Sequence, residues 1–248
     1  MPIDKEKFKQ CRTEDEYLIA KYLYVPLSNF LSRILIRFPI TPNQLTIFWG
    51  LMMVVCSIAF VFGDYVLSIL AGVGWIVAYS LDESDGTIAR YKGIFSKRGK
   101  FYDLINHRVS YPLLMFCIGI GLWHMGVDDV FGIEIRPVVF MIAGFLAGLG
   151  MLIIMDLGDC YNKAYPESKV DNDKGSMAVE GRNMDRKTFV LMMSLNPLSF
   201  LNMMFLLPIF AALNCLHVFI LFYGTLYPLA AFYRYTVLAR SIPPRIEQ

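Results

Sequence analysis

Residues Leu81 to Arg108 read LDESDGTIARYKGIFSKRGKFYDLINHR. One apolar run ends at the first of these residues, and another begins just past the last. The stretch therefore joins two membrane-length segments. Crossing a bilayer takes roughly 17–25 apolar residues. Runs near that length recur at about 46–62, 65–81, 110–126, 138–156, 188–211 and 216–238. Hydrophobic residues make up 56% of the 248 and charged residues 18%, which excludes an ordinary soluble domain. The expected fold is all-α: a polytopic integral membrane protein with six transmembrane helices and an N-terminal amphipathic interfacial helix. The second and third runs are short and are expected to continue as helix beyond the lipid.

The net charge is only +2, but the basic residues are unevenly placed. With sides alternating over six spans, seven fall in the N-terminal segment, six in 82–109, six in 157–187 and three at the C-terminal end. Arg136 stands alone on the other side. Lys and Arg collect on the cytoplasmic side of membrane proteins, so both termini and both long connections are expected there. That places the protein in a bacterial or archaeal inner membrane, or in the endoplasmic reticulum of a eukaryote. No cleavable signal peptide is expected, the first span serving as an uncleaved insertion signal. Nothing points to a nucleic-acid partner. Cys11, Cys56, Cys117, Cys160 and Cys215 are scattered and are expected to be free thiols.

The chain divides into a cytoplasmic N-terminal segment (1–42), a six-helix membrane domain (43–240) and a short tail (241–248). Over 14–38 the residues Leu23, Leu27, Phe30 and Ile34 recur at helical spacing, with Asn29, Arg33 and Arg37 on another side. This predicts a helix lying on the membrane, begun or kinked at Pro26. Thr41 and Pro42 suit the cap and first turn of the first span. Gly63-Asp64 reads as a tight outer turn, and Asn196-Pro197 and Pro208 as kinks in the fifth span. The 157–187 connection is polar and reads as a flexible linker. Its alternative is a flap with Lys163, Lys169 or Arg182 near an anionic substrate. "GFLAG" (Gly144 to Gly148) allows close helix packing, within the subunit or across a homodimer. His124 and His217 lie near outer ends, and "LNMMFLL" reads as lipid-facing or core filler.

If the second helix continues, Asp82, Asp85, Gly86 and Ala89 share one face, two carboxylates beside two residues with almost no side chain. Gly99, Asp103 and His107 share a face of the next helix. Three carboxylates brought together repel one another, and a divalent cation removes that repulsion. Oxygen ligands of this kind suit Mg²⁺ or Mn²⁺. Such an ion in turn binds phosphate, and Arg90, Lys97, Arg98 and Lys100 are near in sequence. The combination suggests phosphoryl chemistry on a lipid. Spacing alone leaves a solvated charge cluster as the bland alternative.

From Asp82 through Asp103 the chain matches D-x-x-D-G-x-x-A-R-x₈-G-x-x-x-D-x-x-x-D except at its last position, and so resembles the CDP-alcohol phosphotransferase family. "TPNQLT" before the first span and the preceding amphipathic helix are similar to that family as well. The resemblance implies transfer of a phosphoryl-linked group from a CDP-activated donor to an alcohol or lipid acceptor, with release of CMP. It also implies one or two divalent ions as cofactor. Carried across, Asp82, Asp85 and Asp103 become metal ligands, and Gly86, Ala89 and Arg90 contact the CDP portion together with Asn43 and Gly99. The family's fourth aspartate is His107 here. Asp103 and His107 are the expected catalytic pair, with His107 as base or as metal ligand. Against this reading stand a transporter, disfavoured by the one-sided carboxylates and the absence of an inverted repeat, an intramembrane prenyltransferase, and a family member altered by His107.

Overall fold

The computed structural model describes residues 3–164 and 185–241. Thr41 opens the membrane domain by capping α3 (Pro42–Ala59), and Gln44 returns the bond to form a capping box. A 3₁₀ turn, Phe60–Phe62, extends α3. Gly63 adopts φ +65°, a left-handed turn that a side chain would strain, and Asp64 caps α4 (Tyr65–Lys92). The helix runs straight past Leu81 for eleven more residues and stops where Gly93 takes φ +68°. Ser96 caps α5 (Lys97–His124). Both helices thus extend beyond their apolar runs, as expected. A small hairpin, β1 (Asp129–Val130) against β2 (Ile133–Glu134), forms the next turn.

α6 (Val138–Ala164) continues eight residues past the apolar run, so the polar connection starts later than expected. Lys163 is exposed at its end. Lys169, Arg182 and the rest of that predicted linker or flap, 165–184, lie outside the described residues, as does the tail from 242.

The fifth apolar segment is not one helix. α7 (Arg186–Ser194) ends before Asn196-Pro197, and α8 (Phe200–Ala212) starts after it. Proline lacks the N–H that a helix needs, and the Asn202 amide donates to the carbonyls of Ser194 and Asn196 that the break leaves open. Thirteen residues of α8 reach only about 20 Å against a hydrocarbon layer of about 30 Å. α9 (Leu216–Ser241) closes the bundle. Among the described residues four helices, α3 with its 3₁₀ turn, α4, α6 and α9, are long and apolar enough to cross a membrane.

The N-terminal segment also departs from expectation. A short helix, α1 (Lys5–Cys11), comes first, and residues 13–16 form no regular element. A π turn, Ala20–Tyr24, leads into α2 (Val25–Leu35), with Pro26 in its first turn. The face that packs inward is Tyr24, Ser28 and Ser32, all buried, while Phe30 and Ile34 are exposed. Two small serines let α2 approach α4 closely enough for Ser84 Oγ to donate to the Ser28 carbonyl at 3.0 Å. Phe30 and Ile34 are left on the outside, while Leu31 and Leu35 pack against the core.

α6 packs along α5 and α9, and α3 along α4 and α5. The "GFLAG" stripe serves the first of these contacts, within the subunit. A Cβ on Gly144 would sit 2.5 Å from the Met115 carbonyl, and one on Gly148 would sit 2.8 Å from that of Pro112. The expected homodimer therefore draws no support from this stripe. Met203, Met204 and Leu207 are fully buried, so "LNMMFLL" is core. Phe48, Leu51, Val55, Val66 and Leu70 form an exposed apolar belt of the kind that lipid covers. The five cysteines are free.

Candidate active site

Where α4 and α5 leave the apolar layer they line a chamber of about 1150 Å³. Asp82, Gly86 and Arg90 reach it from α4, and Asp103 and His107 from α5. His107 Nε2 lies 3.1 Å from Asp103 Oδ1 and 3.2 Å from Asp82 Oδ2. One ligand atom from each of the three falls within 4.8 Å of the others, so a single divalent ion fits among them. Imidazole and carboxylate together accept Mn²⁺ or Mg²⁺, with nitrogen favouring the former.

The imidazole is fixed on both sides by rings. It stacks on Tyr111 at 5.2 Å and lies against Trp49 at 5.1 Å, and Tyr111 in turn stacks on Trp75 and Phe200. Its Nδ1 is buried and meets no hydrogen-bond partner among the described residues. Nε2 is therefore the ring atom that faces the acidic pair.

Asp85 stands apart from this triad. Its Oδ2 accepts from Thr46 Oγ1 at 2.7 Å and from Trp49 Nε1 at 2.9 Å, both on α3. Asn43 and Gly99 are also on this side. Ser96 Oγ donates to Asn43 Oδ1 and accepts from the Gly99 N–H, each at 2.9 Å. A Cβ on Gly99 would come within 2.5 Å of Asn43 Oδ1. Asp85, Ala89, Asn43 and Gly99 do not line the chamber. The expected residues thus occupy two sides of the α4–α5 junction, one facing the chamber and one facing α3.

Several polar residues of this region were not foreseen. Thr46 and Trp49 lie in an apolar run, where nothing local marks them as carboxylate partners. Arg108 pairs with Asp156 at 2.6 Å and with Asp159, tying α5 to α6. Those two aspartates, three apart on a helix, were the visible signal for such a clamp. Arg234, counted as a terminal charge, is instead buried in α9 and lines the chamber. Its Nη1 donates to the Ile154 carbonyl at 3.0 Å, while Nε and Nη2 find no partner among the described residues.

A mostly helical membrane protein with carboxylates and an imidazole gathered where two helices emerge has the site of an integral membrane enzyme. Its family is specific. The profile described as CDP-alcohol phosphatidyltransferase matches residues 39–223, most of the chain, and the chain belongs to that family. It is also 40% identical over 82 residues to the archaetidylinositol phosphate synthase of Pyrococcus horikoshii. That match covers 33% of this chain and 42% of the relative, so the chain spans less than half the length of the curated relative it matches.

Proposed function

We propose that this protein transfers a phosphoryl-linked group from a CDP-activated donor to an alcohol in phospholipid or related lipid synthesis. The convergence of Asp82, Asp103 and His107 on one point of the chamber carries this reading. The acceptor oxygen attacks the β-phosphorus, and the phosphorus–oxygen bond to the departing CMP breaks with its electron pair going to CMP. The acceptor's proton passes to His107 Nε2. For that transfer Nε2 must first be unprotonated. The N–H formed by the acceptor's proton then donates to Asp103, one turn away, and to Asp82, which hold the ring in place.

Asp82 and Asp103 are the proposed ligands of a divalent cation, which when bound would offset the charge of the diphosphate. Asp85, whose Oδ2 is taken by Thr46 and Trp49, would join them only through Oδ1. A second reading makes His107 itself a ligand, favoured by the position of Nε2 between two carboxylates. Gly86, Ala89, Arg90, Asn43 and Gly99 are assigned to the CDP portion by the family resemblance. Gly86 and Arg90 line the chamber beside Asp82, and Asn43 and Gly99 meet at Ser96 outside it. The topology proposed with this chemistry has six membrane passes, cytoplasmic termini and α2 in the interface. α5 and the α7–α8 pair supply the two passes beyond the four long apolar helices.

The Pyrococcus relative is named for an archaetidylinositol phosphate product. Inositol phosphate and an archaetidyl donor accordingly join the panel for the deciding experiment. Purified protein with Mg²⁺ or Mn²⁺ is incubated with CDP-alcohols or CDP-lipids and a range of alcohols, and CMP and lipid products are read by mass spectrometry. CMP release matched by one new phosphodiester supports the proposal. Substrate movement across vesicles without CMP would make the protein a transporter instead.

A further inference from the structure

Arg90 ends α4 on an exposed turn, where a long cation is normally mobile, yet here it is held by a different part of the chain. Its Nε donates to the Cys11 carbonyl at 2.9 Å, and Nη2 reaches Thr13 Oγ1 at 3.4 Å and Thr87 Oγ1 at 3.3 Å. Thr13 is itself pinned. Its hydroxyl lies 3.0 Å from that of Thr87 and 3.3 Å from the Glu83 carbonyl, and the Asn29 amide donates to its backbone carbonyl at 3.2 Å. The segment ahead of it is anchored at the start and in the middle of α1. The Asp4 N–H donates to Tyr91 Oη at 3.1 Å, and buried Phe8 sits under the Arg33 guanidinium.

These contacts use Nε and Nη2. Nη1 takes part in none of them and is the heavy atom nearest to a Cβ built on Gly86, at 3.4 Å. The guanidinium is thus turned so that its remaining edge faces the low-bulk patch beside Asp82. Of the residues that turn it, Cys11 and Thr13 precede position 39, where the family match begins, and Thr87 lies within it.

We propose that residues 11–13 act as a strap that aims Arg90 at the diphosphate of a nucleoside diphosphate donor, with Thr13 as the positioning residue. The proposal rests on the assignment of Arg90 to the CDP portion. An arginine loses side-chain freedom when it binds phosphate, and one already held on two edges loses less, so the strap raises donor affinity. It also presents Nη1 in a fixed plane, which suits the fork geometry of guanidinium and phosphate. The strap does not touch the reacting atoms, so turnover at saturating donor should be unaffected.

The test is calorimetric titration of CDP with Mg²⁺ into the full-length protein in detergent, with Tm recorded for every variant. Arg90→Ala should weaken CDP roughly 10- to 100-fold. Thr13→Val keeps the shape and removes the hydroxyl, and should weaken CDP roughly 3- to 10-fold. Thr13→Ser should restore wild-type affinity, and Thr13→Val should have no further effect once Arg90 is alanine. Wild-type binding by Thr13→Val, or an equal loss in the Arg90→Ala background, overturns the strap alone. Tighter binding by Thr13→Val would make the segment a plug that competes for Arg90. Unchanged binding by Arg90→Ala would remove the CDP assignment of Arg90 and the strap with it.

Discussion

His107 Nε2 and Asp82 Oδ2, 25 positions apart in sequence and on different helices, meet at 3.2 Å. The imidazole closes the gap between α4 and α5 at the place where the family pattern has an aspartate. It can act there as a base or as a ligand. A base must be unprotonated to accept a proton, so kcat/KM would fall as pH drops through the imidazole's pKa. His107→Ala would then lose roughly 10²- to 10⁴-fold in rate while metal and CDP affinity survive. His107→Asp should retain partial activity. A nitrogen coupling in the pulsed EPR spectrum of bound Mn²⁺, lost in His107→Ala, would assign the residue as a ligand instead.

The carboxylates should differ in what their loss does. Asp82→Asn, Asp85→Asn and Asp103→Asn are each expected to nearly abolish activity, and excess EDTA should do the same to the wild type. Asp85 also accepts from Thr46 and Trp49 in a part-buried position. Thr46→Val and Trp49→Phe should therefore lower activity by displacing Asp85, each losing about 0.5–1.5 kcal/mol of stability. Full turnover in EDTA would rule out the metal assignment.

Gly86 offers a way to block the nucleotide without touching a ligand. A Cβ there meets only Arg90 Nη1, at 3.4 Å, so the fold has room for a side chain. Gly86→Leu should keep its Tm and its Mn²⁺ affinity and lose CDP binding by at least an order of magnitude. Unchanged CDP affinity would place the nucleotide elsewhere.

Orientation can be read by labelling in a cysteine-free background. Ser96 caps α5 and bonds Asn43, so its exposed neighbour Phe95 is the better probe on that side. Phe95→Cys should react with an impermeant thiol reagent from the cytoplasm, and Asp129→Cys from the opposite face. Labelling of both from one side would exclude the odd number of passes between them.

Much of the site was legible because it is local. Positions i, i+3, i+4 and i+7 of a helix lie near one face, which groups Asp82, Asp85, Gly86 and Ala89 once α4 continues. That face is wide, however, and Asp82 and Gly86 line the chamber while Asp85 bonds Thr46 and Trp49. The pairing of Asp103 with His107 follows from the same rule. Thr46 and Trp49 were not legible, since an apolar run does not say which of its residues will face a carboxylate. Nor was the strap, where Thr13 meets Thr87 across 74 positions.

The N-terminal helix shows the limit of periodicity. Leu23, Leu27, Phe30 and Ile34 did mark one side, but α4 is met instead by Tyr24, against Tyr79, and by Ser28, against Ser84. In a membrane the apolar face has lipid as an equally good neighbour, so hydrophobic pattern does not point inward as it does in water. The fifth segment failed differently. Its composition suits a span, but Pro197 denies the backbone a donor and the helix divides.

The sequence by itself determined the membrane class, the continuous α4 and α5, the turn at Gly63, and the family. Each depends on residues within a few turns of one another, where helix geometry and backbone sterics act directly. Only the tertiary structure decided that Asp85 turns to α3 while Asp82 turns to the chamber. It also decided that the Gly144–Gly148 stripe serves α5 within the subunit and that Arg90 is held from the N-terminus. Those outcomes depend on which helices come close, and close approach is set by small residues and hydrogen-bond partners far apart in the chain.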